Sequence, residues 1–288
     1  MSINNKVQLN QDLILDKQIL KVNYMSKLVV THNAGFFSCC TIRLLKIIDY
    51  FNIFKCLPDL VDSSKQFEFY KEFSNIDISN YYFNNNENIH IEYTKNIKLR
   101  NDNIEEQFSD YKSLNLSDVS MFLEKYFNLS EEVKTIIKTI ETKYNIDYEK
   151  TLSVFYRGND KIRETLIAPY DSFISKIKEC LYLNKYERIL IQTDDELFLK
   201  YCLEDNIIKD KIFYFNELAR IDNNHNLAIH MLIDKKHRQL FGAYFLAATY
   251  ILSKTKGIVT HSGNCGLWAV LFRNNTTNVY QCLNNEWY

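Results

Sequence analysis

The chain has 288 residues, enough for one large domain or two of ordinary size, and its hydrophobic fraction of 46% supports a real core. A formal charge of -1 gives no bulk attraction to nucleic acid or to an anionic membrane, so neither polyanion is an expected partner. The seven cysteines contain no C-x-x-C pair and no Cys/His cluster at zinc spacing, which disfavours a disulfide scaffold and a structural metal site.

Residues 1–24 carry no strong period and read as a lead-in segment. Met1 to Lys21 lacks the basic-then-apolar order of a secretory signal. Lys27 to Thr31 then reads as a strand, followed by a turn at Gly35 and a helix through Phe51 on the spacing of Cys40, Leu44, Leu45, Ile47 and Ile48. Strand, glycine turn and helix open a βαβ unit. Residues 56–100 alternate short apolar pieces with Asn-rich turns. Residues 103–143 read as helical, with Val119, Phe122, Leu123 and Tyr126 on one face. Ser130, ahead of Glu131 and Glu132, is a helix start for a second face of Val133, Ile136, Ile137 and Ile140. Asn145-Ile146-Asp147 breaks the pattern and sets a domain boundary between 25–147 and 148–288.

In the second half, strands are expected at Leu152–Tyr156, Arg188–Gln192, Lys211–Phe215, Gly257–Thr260 and Val279–Cys282. Helices fall between them, at about 170–183, 196–203, 236–253 and from Ser262 to Phe272. The apolar run Leu240 to Leu252 is too short to span a bilayer and reads as a buried helix, so a soluble cytoplasmic protein without a transmembrane segment is expected. The cysteines then read as free thiols in a reducing compartment. Alternating strands and helices imply a parallel sheet and an α/β fold, two Rossmann-like domains facing a cleft.

Three strand ends carry the charged and small residues: Arg157 to Lys161, Thr193 to Asp195, and Thr260 to Gly266. In a parallel sheet these ends share one edge, where ligands of open α/β folds bind. The guanidinium of Arg157 suits paired hydrogen bonds to a phosphate or carboxylate. Ser262-Gly263-Asn264 stands where a strand gives way to a helix, whose unpaired first amides form an anion site, unless Ser262 and Asn264 merely cap that helix. Asp194 and Asp195 either orient a ligand or the Arg157 loop, or are helix-start acids that favour the dipole. No G-x-G-x-x-G and no G-x-x-x-x-G-K-[ST] is present, which disfavours a dinucleotide dehydrogenase and a P-loop NTPase.

Phe155-Tyr156-Arg157-Gly158-Asn159-Asp160-Lys161 resembles the H-x-R-R-x-D-[KY] motif of the fucosyltransferase superfamily, which includes the α-1,6-, α-1,2- and protein O-fucosyltransferases. Gln192-Thr193-Asp194-Asp195 is similar to the next motif, A-T-D-D or F-S-D-D. Ile251-Leu252-Ser253 followed by Gly257 to Asn264 resembles the third, and the order and spacing of all three agree over about residues 150 to 275. The turn at Gly35 resembles the family's N-terminal glycine turn. The motif's His is Phe155 here, its second Arg is Gly158, and the serine pair of the third motif is Ser262-Gly263.

The resemblance implies a GT-B-like fold and a glycosyltransferase that inverts the transferred sugar, most often fucose from GDP-fucose, with a glycan or other hydroxyl as acceptor. It implies donor contacts from Arg157, Asp160, Thr193, Asp194, Asp195, Ser262, Gly263 and Asn264, and a donor side in 148–288. The acceptor side falls in 25–147, at His32, Asn33, Gly35 and Phe36. Departure of the nucleoside diphosphate builds charge that Arg157, Lys161 and the 262–264 amides stabilise, so neither a metal nor another cofactor is expected. The acceptor's base is expected to be Glu164, which stands just past the motif Lys near the family's Glu, with His32 as the other candidate. The alternative is a catalytically silent nucleotide- or sugar-binding module that kept Arg157.

Overall fold

The computed structural model describes residues 26–91, 95–101, 105–159, 166–222 and 228–288. Its first unit is one βαβ turn: β1 (Lys27–His32), α1 (Phe36–Phe54) and β2 (Leu60–Gln66). β1 and β2 pair in parallel, with Lys27 opposite Leu60 and His32 opposite Gln66. Burial of Cys40, Leu44, Ile47, Ile48 and Phe51 along one face explains α1. The helix stops at Lys55, which turns left-handed at φ 54° and donates its N–H to Phe51 O.

β2 was not legible as one strand because its buried face is partly polar. Ser63 Oγ accepts from Arg43 Nε at 3.2 Å, and Gln66 Nε2 donates to Cys39 O at 3.0 Å. Arg43 is itself buried, donating to Tyr126 O at 2.9 Å and lying 5.1 Å from the Phe127 ring centroid. Arg43, Ser63 and the Gln66 amide nitrogen are thus paired within the unit, whereas Gln66 Oε1 finds no partner among the described residues.

Two short strands, β3 (Phe83–Asn84) and β4 (Asn128–Leu129), pair antiparallel and bracket α2 (Leu116–Tyr126); α3 (Glu131–Tyr144) follows. The expected helical stretch from 103 to 143 is thus two helices preceded by two 3-10 turns, Glu106–Phe108 and Tyr111–Ser113. Ser130 starts α3 as read: its Oγ accepts from Val133 N at 3.3 Å.

The second half comprises β5 (Thr151–Tyr156), α4 (Tyr170–Asn184), β6 (Arg188–Thr193), α5 (Glu196–Glu204), β7 (Ile212–Phe213), α6 (Arg238–Lys254), β8 (Gly257–His261), α7 (Asn264–Arg273), β9 (Val279–Leu283) and β10 (Glu286–Trp287). They form one sheet in the order β10-β9-β8-β5-β6-β7, parallel throughout except for β10. β7 pairs only through Ile212 and Phe213, shorter than the expected Lys211–Phe215. Lys211 closes a 3-10 turn before it, and Phe215 O accepts from Arg220 Nη1 at 3.1 Å instead of extending the ladder.

Strand alternation divides the core. Leu152, Val154, Tyr156, Ile189, Ile191 and Val259 bury against Phe173 and Ile177 of α4 and Phe198 of α5. Phe155, Leu190 and Ile258 face the other way, into a core shared with α1, α2, α3, α6 and α7. The N-terminal half therefore packs on the sheet face that Phe155 presents, and the strand ends of β5, β6 and β8 open beside it. All seven cysteines are free, with Cys56 exposed and the others buried. Among the described residues no helix is long and apolar enough to cross a membrane.

Candidate active site

β8, β5 and β6 are adjacent and parallel, so their carboxyl ends share one edge. At the end of β5, Arg157 Nε lies 3.1 Å from Asp194 Oδ2. The other oxygen of that carboxylate accepts from Gly158 N at 2.9 Å, and Asn159 Nδ2 donates to Asp194 O at 2.7 Å. Asp194 thereby fixes the loop backbone and the Arg157 side chain together. Gly158 is required by space: a Cβ there would lie 2.5 Å from Asp195 Oδ2.

The end of β8 leads into α7 without a side-chain cap, through Gly263 at φ 146°, which a side chain would rarely adopt. Ser262 Oγ donates to Cys282 O at 2.9 Å and accepts from Gln281 Nε2 at 2.8 Å. Gly263 N donates to Tyr111 OH at 3.0 Å. Asn264 Oδ1 accepts from Thr41 Oγ1 at 2.7 Å, and its Nδ2 donates to Gln107 Oε1 at 2.9 Å. The side chains of Ser262 and Asn264 thus hold the frame. The first backbone bond into α7 runs from Leu267 N to Gly263 O at 2.9 Å. The amides of Asn264, Cys265 and Gly266 carry no hydrogen bond to the described residues.

α1 begins the same way. Gly35 precedes it without a side-chain cap, and a Cβ at Gly35 would meet nothing within 4 Å. Phe36 N donates to Tyr70 OH at 3.0 Å, whereas the Phe37 and Ser38 amides carry no hydrogen bond to the described residues. Both helix starts line one cavity of about 140 Å³, at Gly35, Phe37 and Ser38 on one side and Gly263 and Asn264 on the other, with Arg157 between them. The positive ends of two helix dipoles and a guanidinium thus address the same space.

A second cavity of about 50 Å³ adjoins it, sharing Tyr70, Phe155, Arg157, His230 and Phe245. It reaches Gln192, Thr193 and Asp194 at the end of β6. Arg157 stands on the boundary between the two.

Of the expected donor contacts, the structure brings Arg157, Thr193, Asp194, Ser262, Gly263 and Asn264 to these cavities. Asp195 is turned away. Its Oδ1 accepts from Leu197 N at 2.9 Å and Phe198 N at 3.3 Å, and its Oδ2 accepts from Tyr170 OH at 2.6 Å. It is the N-cap of α5, and its lone pairs are taken up there rather than by a ligand. Asp160, Lys161 and Glu164 lie outside the described residues, as does the 1–24 lead-in.

On the N-terminal side, Gly35 and Phe36 line the larger cavity, but His32 and Asn33 line neither. His32 Nε2 meets Ser38 Oγ at 2.8 Å, and partial burial holds its pKa below the ordinary value of 6.5. Asn33 Oδ1 accepts from Glu68 N at 3.3 Å. Sequence reasoning missed Tyr70, Gln107, His230 and Phe245, which come from separate elements and share no local pattern. His230 packs on Phe69 with ring centroids 4.6 Å apart. Cys265 also lines the cavity, but burial pushes its thiol up to about 12, so it is held neutral and is no nucleophile at ordinary pH.

No protein-family model matches the chain, and no curated protein matches it. The chain is similar to solved structures of the NodZ α-1,6-fucosyltransferase. The form co-crystallized with GDP aligns at TM-score 0.49 and 11% identity, over 89% of this chain and 94% of that one. The form soaked with GDP-fucose aligns at TM-score 0.38 and 12% identity, over 60% of this chain and about half, 51%, of that one.

Proposed function

We propose that this chain is a glycosyltransferase that holds the pyrophosphate of a nucleotide sugar in the cavity between α1 and α7. It transfers the sugar, with inversion, to a hydroxyl of a glycan or other acceptor. The observation that carries the reading is the convergence of two uncapped helix starts and Arg157 on one cavity. Open backbone amides at a helix start favour a compact anion, and a guanidinium supplies the full charge that the amides lack. As the glycosidic bond to the nucleoside diphosphate breaks, negative charge grows on the β-phosphate. Pre-aimed donors at that position lower the barrier. With these donors in place the reaction needs no divalent metal.

The choice of GDP-fucose follows the sequence resemblance at residues 155–161, 192–195 and 251–264. The acceptor enters from the 25–147 side, and Glu164 is the proposed base, because His32 is turned toward Ser38. Titration calorimetry with GDP, UDP and CMP in excess chelator tests the reading. GDP is expected to bind tightest of the three. No binding of any nucleotide, or binding that requires added manganese or magnesium, overturns it.

A further inference from the structure

Gln192 is the last residue but one of β6 and lies opposite Phe155 of β5. Its neighbour Ile191 buries beneath α4 and α5, so alternation turns Gln192 toward the cleft, where it lines the smaller cavity. The residue is 4% exposed, yet its buried Oε1 has no hydrogen-bond partner among the described residues. Buried carbonyls are paired as a rule, because an unpaired one has lost water and gained nothing. An apolar side chain would fill this strand position without that penalty. No described residue supplies the donor this acceptor lacks, and the residue borders the smaller cavity, where a ligand's donor can reach it.

The size and walls of the cavity narrow the class of that group. Its volume of about 50 Å³ holds about three or four water-sized groups, too few for a whole purine and enough for the hydroxyl-bearing edge of a pyranose. Phe155, Phe241 and Phe245 supply ring surfaces for the sugar's C–H groups. Arg157 borders both cavities, so a diphosphate in the larger one would place its attached sugar at the mouth of the smaller.

We propose that Gln192 is a specificity residue for the donor sugar, its Oε1 accepting a hydrogen bond from a pyranose hydroxyl. The inference rests on the nucleotide-sugar reading above. Gln192→Met keeps the side-chain volume and removes the acceptor; Gln192→Ala serves the same comparison should methionine disturb folding. Calorimetric titrations with GDP and with GDP-fucose would be run beside thermal melting of the ligand-free protein. The variant is expected to weaken GDP-fucose about tenfold relative to GDP, while melting no lower than wild type. Equal weakening of both ligands would assign the cavity to the nucleotide and overturn the proposal. Unchanged affinities with weaker acceptor binding would assign the hydroxyl to the acceptor and overturn it too. A lower melting temperature for Gln192→Met would show that the carbonyl has a structural partner, with the same consequence. If wild type binds neither ligand, the donor reading fails and takes the sugar assignment with it, whereas failure confined to the variant comparison leaves the donor reading standing.

Discussion

The starts of α5 and α7 follow β6 and β8, which flank β5 at the same sheet edge, yet one is closed and the other open. At α5 the Asp195 carboxylate accepts two first-turn amides and a tyrosine hydroxyl. At α7 the residue before the helix is a glycine at φ 146°, and the polar side chains on either side of it are bonded elsewhere. A helix start needs four donors satisfied, and a protein that supplies an acid there has no use for an anion. Leaving the donors open loses about 1 kcal/mol of capping and leaves the position able to take an anion. α1 belongs with α7 in this respect, and α3, capped by Ser130, belongs with α5.

The largest effect should come from removing the charge between the two open starts. Arg157→Ala is expected to lower transfer at least a hundredfold, the loss of about 3 kcal/mol typical of one donor aimed at transition-state charge. The fold should survive, because Asp194 keeps its bond from Gly158 N. Arg157→Lys should recover little, since an ammonium cannot reproduce the guanidinium fork. Turnover and melting measured on the same preparations check this. A variant that melts normally and keeps most of its turnover would remove Arg157 from the site.

The comparison can also be inverted by substitution. Gly35→Asp would install at α1 the acid that α5 already has, in open space and with backbone angles, φ -55° and ψ 154°, that suit a cap. It is expected to raise stability by a few tenths of a kcal/mol and to weaken nucleoside diphosphate binding at least tenfold, through repulsion and occupation of the amides. Unchanged affinity would mean that the α1 start does not face the anion. Asp195→Ala is the converse. It should cost about 1–2 kcal/mol of stability, read from denaturant midpoints, and change nucleotide affinity by less than about threefold. A much larger loss of affinity would return Asp195 to the binding site.

The sequence made the open start at α7 legible because its signals are local: a β-branched strand, a small residue and a helical period within one stretch. The strands β5, β6 and β8 and their helices were legible for the same reason. Asp195 was ambiguous, since an acid before a helix reads equally as cap or ligand, and only Tyr170 and the two amides decide it. β2 was hidden because its inward Ser63 and Gln66 are polar, with the Ser63 hydroxyl and the Gln66 amide nitrogen paired to Arg43 and Cys39 of the preceding helix. Tyr70, Gln107, His230 and Phe245 reach the cavity from four separate places in the chain, which no window of sequence brings together. Gln192 was visible as a polar residue in a strand, but its unpaired carbonyl is a property of the packing.

The smallest expected effect concerns His32, which stands at the end of β1 just before the open start of α1. Its Nε2 meets Ser38 Oγ, and burial lowers its pKa from 6.5. The unfolded chain therefore takes up a proton at a higher pH than the folded one. The stability this contributes is complete above the unfolded value of 6.5 and is lost as pH falls through the folded one. Wild type should lose slightly more melting temperature than His32→Gln between about pH 7.5 and about pH 5.5. The imidazole is only partly buried, so the difference should be small. Because His32 lines neither cavity, His32→Gln should keep most of the wild-type turnover near neutral pH. A melting curve that ignores His32 together with a lost turnover would reverse the assignment, making His32 the acceptor's base and giving the start of α1 to the acceptor instead of the diphosphate.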